Sequence, residues 1–105
     1  MEEKKYDVIL HAPIGERPGE LLLQMESSAV RGELRILGQS TKLTGMIRED
    51  GRLEAEGELV TPMRRISYSA EGRMSEYDIQ MTLHAGRSTY ELTGIKKKEK
   101  EEEKA

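Results

Sequence analysis

The chain has 105 residues, of which 35% are hydrophobic and 35% charged, enough for one small domain around a single core. It has no cysteine, which excludes disulfides, thiolate zinc sites and redox thiols. The formal net charge of -3 disfavours nucleic acid as a partner, and no stretch approaches the ~20 apolar residues of a membrane-spanning helix. We therefore expect a cytoplasmic protein with neither a nucleic-acid nor a membrane partner.

Apolar and polar residues alternate along nearly the whole chain, which predicts strands and almost no helix. We predict eight strands, with turns that include residues 13–19, a type I′ turn at Asp50 and Gly51, and a turn at 71–73. In chain order, the predicted inward residues are Tyr6, Val8 and Leu10; Leu21, Leu23 and Met25; Val30, Gly32, Leu34 and Ile36; Leu43, Gly45 and Ile47; Leu53, Ala55, Gly57 and Leu59; Ile66, Tyr68 and Ala70; Tyr77, Ile79, Met81 and Leu83; Tyr90, Leu92 and Gly94.

A sheet with one apolar face needs a cover, and the pattern offers no helix to supply it. The expected fold is an all-β, eight-stranded antiparallel up-and-down meander that closes into a barrel, because closure also removes the exposed edges. Inward glycines favour closure, since a residue without a Cβ on the concave face permits sharp coiling; they are Gly32, Gly45, Gly57 and Gly94. The alternative is a two-layer β-sandwich.

Residues 10–45 align without a gap over residues 59–94, with Pro13 on Pro62 and Leu34 on Leu83. This alignment predicts an internal two-fold repeat within a single domain at 1–95. The remaining segment, 96–105, reads KKKEKEEEKA and is too charged to join a core, so we expect a disordered tail there.

The predicted interior has no Asp, Glu, His, Lys or Arg, and catalysis needs titratable groups in a partly dry site. We therefore predict no enzymatic activity, no cofactor and no metal site. His11 and His84 fall on outward positions near strand ends, in non-equivalent places of the two repeats.

One candidate site is the barrel interior, where tyrosine hydroxyls are the only polar side-chain atoms expected. A carrier for a small apolar ligand would line its cavity with Met63, Tyr68, Met81 and Tyr90. The alternative is that these side chains pack in the core and that the hydroxyls reach water or a carbonyl at a barrel end.

A second candidate site is the surface. The turns around Pro13 and Pro62 should share one mouth of the barrel, where Ile14 and Met63 could touch a partner and Arg64 and Arg65, with Arg17, could hold an anion. Outward apolar residues would mark an interface if they are contiguous; they are Ile9, Leu22, Leu37, Met46, Val60 and Ile95. For the turns around Pro13 and Pro62, the alternative is that they have no binding role and contain proline only for its backbone geometry.

The Thr61, Pro62, Met63 turn and the Leu92, Thr93, Gly94 ending are similar to small bacterial all-β modules built on a repeated TPMG turn and a closing TG. The eight-strand meander likewise resembles a calycin/lipocalin-like barrel over roughly residues 5–95, and this resemblance implies a barrel of that type. The resemblance implies an accessory or binding role, since some such modules are appended to flavin-dependent reductases of anaerobes. Here the first turn reads APIG and the second TPMR, so no functional residue is carried over.

Two hypotheses follow for the function. The first is a non-enzymatic accessory or interaction module that assembles with itself or with another protein. The second is a carrier that holds a small apolar ligand inside the barrel. A packed interior favours the first, whereas a cavity of roughly 300 Å³ or more favours the second.

Overall fold

The structure is a computed structural model that describes residues 2–13, 15–61 and 63–97. Its elements are β1 (Glu2–Ala12), β2 (Gly15–Glu26), β3 (Ala29–Ile36), β4 (Gln39–Ile47), β5 (Arg52–Val60), β6 (Arg65–Met74), β7 (Asp78–Ala85) and β8 (Ser88–Lys96). Each strand pairs antiparallel with the next, and β8 pairs with β1, so the sheet is a closed barrel. The prediction of an eight-stranded up-and-down barrel is confirmed, and the sandwich alternative is wrong.

The β1–β8 seam completes the barrel with paired residues from Tyr6 and Lys96 to His11 and Glu91. A path that starts at His11 and steps from each residue to its partner on the next strand goes around the barrel and reaches β2 at Glu26. Met25 pairs with Glu2, so Glu26 is level with the position before Glu2 on β1, ten residues from the starting point. The strands are therefore staggered by ten residues per circuit. The circuit runs through Glu91, Thr82, Glu71, Glu54, Met46, Ala29 and Glu26. Such a stagger requires strands that are steeply tilted to the barrel axis.

The core fills the barrel with the inward side chains of all eight strands. Leu23, Leu83, Leu92 and Tyr6 have no exposed surface, and no polar or charged residue is buried among the residues that the structure describes, apart from tyrosine. The alternation predicted from the sequence therefore places the core correctly on every strand, with one exception at Tyr77.

Two glycines let neighbouring strands approach closely on the concave side. A Cβ on Gly45 would overlap the carbonyl oxygen of Glu54, and a Cβ on Gly72 would overlap that of Gln80. These backbone atoms have little freedom to shift, so both positions require glycine for the wall to bend as it does.

Two predicted turn positions are wrong. Pro18 and Gly19 lie within β2, which begins at Gly15, and residues 71–73 lie within β6, which continues to Met74. The chain instead turns at 75–77, where the Ser75 hydroxyl accepts hydrogen bonds from the backbone N–H groups of Tyr77 and Asp78. Tyr77 is therefore 70% exposed rather than inward.

The predicted type I′ turn at Asp50 and Gly51 is also wrong, because only Gly51 has a positive φ there. The N–H of Gly51 donates to the carbonyl of Arg48, and the N–H of Arg48 donates to the carbonyl of Arg52. These bonds close a three-residue loop, 49–51, whose last residue is a glycine in the left-handed conformation. Two consecutive positive φ values, as a type I′ turn needs, occur instead at Leu37 (58°) and Gly38 (75°).

The two ends of the barrel differ in their connections. The proline end carries the β1–β2, β3–β4, β5–β6 and β7–β8 turns, so the β1–β2 and β5–β6 turns share one mouth as predicted, although Pro62 itself lies outside the described residues. The terminal end carries the β2–β3, β4–β5 and β6–β7 turns together with the start of β1 and the end of β8.

The barrel extends beyond the predicted domain boundary at 95. Lys96 is the last residue of β8, and the N–H of Lys97 donates to the carbonyl of Lys5. The Lys97 ammonium also lies 2.6 Å from a carboxylate oxygen of Glu20 and 3.6 Å from one of Asp7. Residues 96 and 97 of the segment that was predicted to be disordered are thus part of the barrel, and its remainder, 98–105, lies outside the described residues.

Candidate functional site

The structure does not gather the four predicted ligand-lining residues around one interior space. Tyr68 and Met81 are buried core residues, and Tyr90 is partly buried opposite Leu83. Met63 is 88% exposed in the β5–β6 turn, so its predicted place in a cavity lining is wrong.

The interior around Tyr68 is closely packed. A Cβ built on Gly57, its partner on β5, would lie 2.6 Å from the Tyr68 hydroxyl and 3.1 Å from the Cβ of Leu43. The phenol thus occupies the space above the glycine, and burial raises its pKa to about 12. This packing disfavours a ligand carrier of the kind considered above.

The proline end has a turn that is closed by its own hydrogen bonds. The Thr61 hydroxyl accepts from the N–H groups of Met63 and Arg64 and donates to the carbonyl of Arg64. Arg65 is already paired with Glu58 at 2.8 Å. These contacts favour the purely structural interpretation of this turn over an anion site, while Ile14 lies outside the described residues.

The outer wall at the barrel seam brings two predicted surface residues together. Ile9 on β1 pairs with Thr93, and Ile95 on β8 pairs with Asp7, so the two isoleucines are diagonal neighbours on the outside. They are 38% and 69% exposed. We call this surface of β1, β8 and β7 the seam face.

The seam face borders a depression of about 650 Å³ whose lining includes Ile9, Ile95, Asp78 and Arg73. Asp7 and Asp78 flank Ile95 on either side, because each pairs with it across a neighbouring strand. The predicted interface residue Leu22 does not belong to this surface. It pairs with Lys5, whereas Ile9 pairs with Pro18 four residues away along β2.

At the terminal end, charged side chains continue the inward face beyond the core, although none of the charged residues that the structure describes is buried. β1 begins at Glu2, so Glu2 and Lys4 alternate inward with Tyr6. The Lys4 side chain is only 14% exposed, and its ammonium lies 3.5 Å from a Glu2 carboxylate oxygen. Lys96, directly opposite Tyr6 on β8, is partly buried on the same face.

Tyr6 itself is fully buried, and its hydroxyl has no hydrogen-bond partner. Burial, together with the negative charges of Asp78 and Glu2, raises the pKa of the Tyr6 phenol to about 12. Most buried hydroxyls in folded proteins are hydrogen-bonded, so the Tyr6 phenol differs from them in having no partner among the protein atoms that the structure describes.

The two histidines lie on the outer wall, as predicted. The His11 ring nitrogens lie 3.3 Å from Glu16 and 3.0 Å from the Thr93 hydroxyl, and His84 lies 3.3 Å from Glu71. Within residues 2–13, 15–61 and 63–97, no three His, Asp or Glu side chains are grouped so as to hold a metal ion. The same ranges contain no helix of the length and hydropathy that crossing a membrane requires.

Sequence reasoning missed Lys4 because residues 2–5 read EEKK, which has no alternation of apolar and polar residues. Only counting back in steps of two from Tyr6 places Lys4 on the inward face, because β1 begins at Glu2. The adjacency of Ile9 and Ile95 had no local signal either, because it depends on the register between the first and last strands.

No protein-family model and no curated protein matches the sequence. Among solved structures, the fold is similar to one described as a redesigned beta barrel, with a TM-score of 0.69 and 8% sequence identity over 91% of this chain and 90% of that chain. At this identity the likeness shows the fold alone. Both structures are β-barrels, and the role of this chain has to be argued from its own residues.

Proposed function

We propose that the protein is a non-enzymatic interaction module that self-associates through its seam face. The observation that carries this proposal is the adjacency of the exposed Ile9 and Ile95 beside a depression in the outer wall. Apolar surface next to a depression is typical of protein interfaces, whereas a single exposed isoleucine would need no explanation.

A closed barrel offers no free strand edge, so another chain cannot extend its sheet by backbone pairing. Association therefore has to use side chains on the outer wall. The seam face supplies apolar side chains, and Thr93 and Gln80 supply polar groups among them.

The charges around the seam face favour a second copy of this chain as the partner. Asp7 lies on its β1 side, and Arg73 lies on its β6 side, paired with Gln80. A two-fold rotation about an axis through the face would bring Arg73 of one copy towards Asp7 of the other. Asp7 remains 68% exposed despite its contact with Lys97, so it is accessible to such a contact.

Sedimentation velocity over a concentration series tests the proposal. We expect a reversible dimer with a dissociation constant on the order of micromolar, since a small face with few anchors gives a weak interface. Ile95→Lys should give a monomer throughout, because it places an ammonium at the centre of the face. Met46→Lys is the matched control, since Met46 is 59% exposed on β4, away from the seam.

Either of two results would contradict self-association. The first is a wild-type protein that stays monomeric up to about 1 mM, which is weaker than a specific dimer requires. The second is an equal loss of dimer in Met46→Lys and Ile95→Lys, which would place the contact elsewhere or make it nonspecific.

A further inference from the structure

We propose that the outer wall of β1 to β4 docks an acidic peptide segment of a partner protein. The surface concerned, which we call the cationic face, consists of Lys5, Leu22, Arg31 and Lys42. It lies apart from the seam face, and the proposal does not depend on self-association. It rests on positive charges without ion-pair partners, which the strand register places around a partly exposed leucine.

The residues of the cationic face are neighbours by register. Leu22 on β2 pairs with Lys5 on β1 and with Glu33 on β3, and Glu33 pairs with Lys42 on β4. These four residues form one row across the outer wall, with a lysine at each end. The row spans three strand spacings, or about 14 Å between the Cα atoms of the two lysines. Arg31 lies two residues from Glu33 along β3, on the same side of the sheet.

The positive charges of the cationic face are not neutralised. Lys5, Arg31 and Lys42 are exposed, and none of them forms an ion pair within the part of the chain that the structure describes. A chain whose formal net charge is -3 thus presents three unmatched cations on one wall. This distribution favours a partner that supplies negative charge.

Two carboxylates among these cations already have other partners. Glu33 lies 3.3 Å from Arg35, and Glu20 lies 2.6 Å from Lys97. Both carboxylates would repel the closely spaced phosphates of a nucleic acid. A peptide can instead place its acidic side chains over the unmatched cations and keep them away from Glu20 and Glu33. We therefore favour an acidic peptide over a polyphosphate.

Leu22 provides an apolar contact within the cationic face. It is partly exposed, and together with Glu33 it lines two depressions of about 280 and 470 Å³ in the outer wall. Lys5 lines the first depression, whereas Arg31 and Lys42 line the second. A peptide that crosses the wall at Leu22 would therefore find a recess with a cationic side chain on either side of it.

The width of the row indicates the sequence pattern of the peptide. In an extended peptide, residues i, i+2 and i+4 face the same side, and the outer two are about 13 Å apart. This distance is similar to the separation of Lys5 and Lys42 across the wall. Acidic residues at i and i+4 would therefore reach the two lysines, and an apolar residue at i+2 would lie near Leu22. The expected pattern is acidic-x-apolar-x-acidic.

The outer wall of β4 to β6 carries the opposite charge. Glu54, Glu56 and Glu71 line a depression of about 520 Å³ there, so this wall would repel an acidic segment and direct it to the cationic face. The acidic wall of a second copy would also be complementary in charge. Both walls are convex, however, because they are the outside of a closed barrel. Two convex walls touch over a narrow strip, whereas an extended peptide can follow the curvature.

Selective ¹³C labelling of leucine methyl groups in the full chain gives a site-resolved test, with the peptide acetyl-GETLTEG-amide as the probe. We expect saturable shifts at Leu22 and none at Leu37, which lies at the proline end, or at the core residue Leu83. Shifts at Leu37 as large as those at Leu22 would show nonspecific binding and overturn the proposal. A Leu22 resonance that moves with protein concentration alone would overturn it in favour of a second copy.

Charge variants test which cations bind the probe, with fluorescence anisotropy of the dye-labelled peptide as the measurement. Arg31→Gln combined with Lys42→Gln should weaken binding by about tenfold, since it removes two exposed charge contacts. Arg64→Gln combined with Arg87→Gln removes the same charge from exposed positions at the proline end and should leave the affinity unchanged. An unchanged Leu83 resonance checks that each variant is folded. Equal affinity in wild type and the Arg31, Lys42 variant would overturn the assignment.

Variants of the probe test the proposed pattern. Replacing both glutamates by lysine should abolish binding, and replacing the central leucine by serine should weaken it severalfold. The peptide KEKEEEKA, which has the sequence of residues 98–105, and a thymidine heptanucleotide should both bind more weakly than the probe. If either of them binds as tightly, the cationic face recognises negative charge alone and not an acidic segment with an apolar centre.

Discussion

The two ends of the barrel each bury one tyrosine, but they do so differently. At the proline end, the Tyr68 phenol lies over Gly57 and fills the space that a side chain there would occupy. At the terminal end, the Tyr6 hydroxyl has no partner, and Lys4 and Lys96 stand beside it on the inward face. One tyrosine thus completes the packing, and the other leaves a hydrogen bond unmade.

This difference shows that burial alone does not reveal what an inward residue contributes. Both phenols have a pKa of about 12, but burial alone accounts for Tyr68, whereas Asp78 and Glu2 add to the effect at Tyr6. A tyrosine packed against a glycine stabilises the barrel. A tyrosine with an unmatched hydroxyl lowers stability unless a ligand or another partner supplies the acceptor.

The largest expected effect is on the stability of the proline end. Tyr68→Ala should lower the free energy of unfolding by about 3 to 5 kcal/mol, because it removes a buried ring and leaves a cavity over Gly57. Lys4→Ala at the other end should change it by less than about 1 kcal/mol, because it removes only a weak ion pair. Urea denaturation followed by circular dichroism measures both. Similar losses in the two variants would show that the ends do not differ in packing.

Alkaline pH should destabilise the barrel through both tyrosines. Their folded pKa of about 12 lies above the unfolded value of 10, so the fold favours the protonated phenols. The stability that the two protonated phenols contribute is fully present below pH 10 and is lost as the pH rises towards 12. We expect the free energy of unfolding to fall by about 2 kcal/mol through Tyr68 and by less through Tyr6, because the charges beside Tyr6 act partly through solvent.

Denaturation curves between pH 8 and pH 11.5 check this expectation, and Tyr68→Phe provides the control. In that variant, the free energy of unfolding should fall much less at alkaline pH, and only the decrease that Tyr6 contributes should remain. A pH dependence that is identical in Tyr68→Phe and wild type would mean that the Tyr68 phenol is not the group that resists ionisation.

The alternation of apolar residues predicted the strands and their inward faces, and the inward glycines together with the need to remove exposed edges favoured a barrel over a sandwich. The predicted repeat offset of 49 also relates the bounds of β3 and β4 to those of β7 and β8. The duplication itself stays a prediction. Turn positions were harder, since Gly72 is typical of a turn but lies within β6, where it permits close approach to Gln80.

The candidate sites were less predictable than the fold, for two physical reasons. The seam face depends on the stagger between β1 and β8, and no local pattern encodes which residues of the first and last strands become neighbours. The missing partner of Tyr6 is a matter of side-chain geometry, which alternation does not determine. Lys4 carried no sequence signal, because residues 2–5 read EEKK and a charged segment before the first aromatic is usually assigned to a frayed terminus.

The smallest effect, and the most direct test of the difference between the ends, comes from removing the orphaned hydroxyl. Tyr6→Phe keeps the ring and deletes a buried donor that has no acceptor, so it should raise the free energy of unfolding by about 1 kcal/mol. Tyr77→Phe is the matched control and should have no effect, since Tyr77 is 70% exposed. Chemical denaturation at neutral pH resolves a change of this size. A loss of stability in Tyr6→Phe would mean that the hydroxyl already has a partner, such as a bound water, and that the terminal end is as fully satisfied as the proline end.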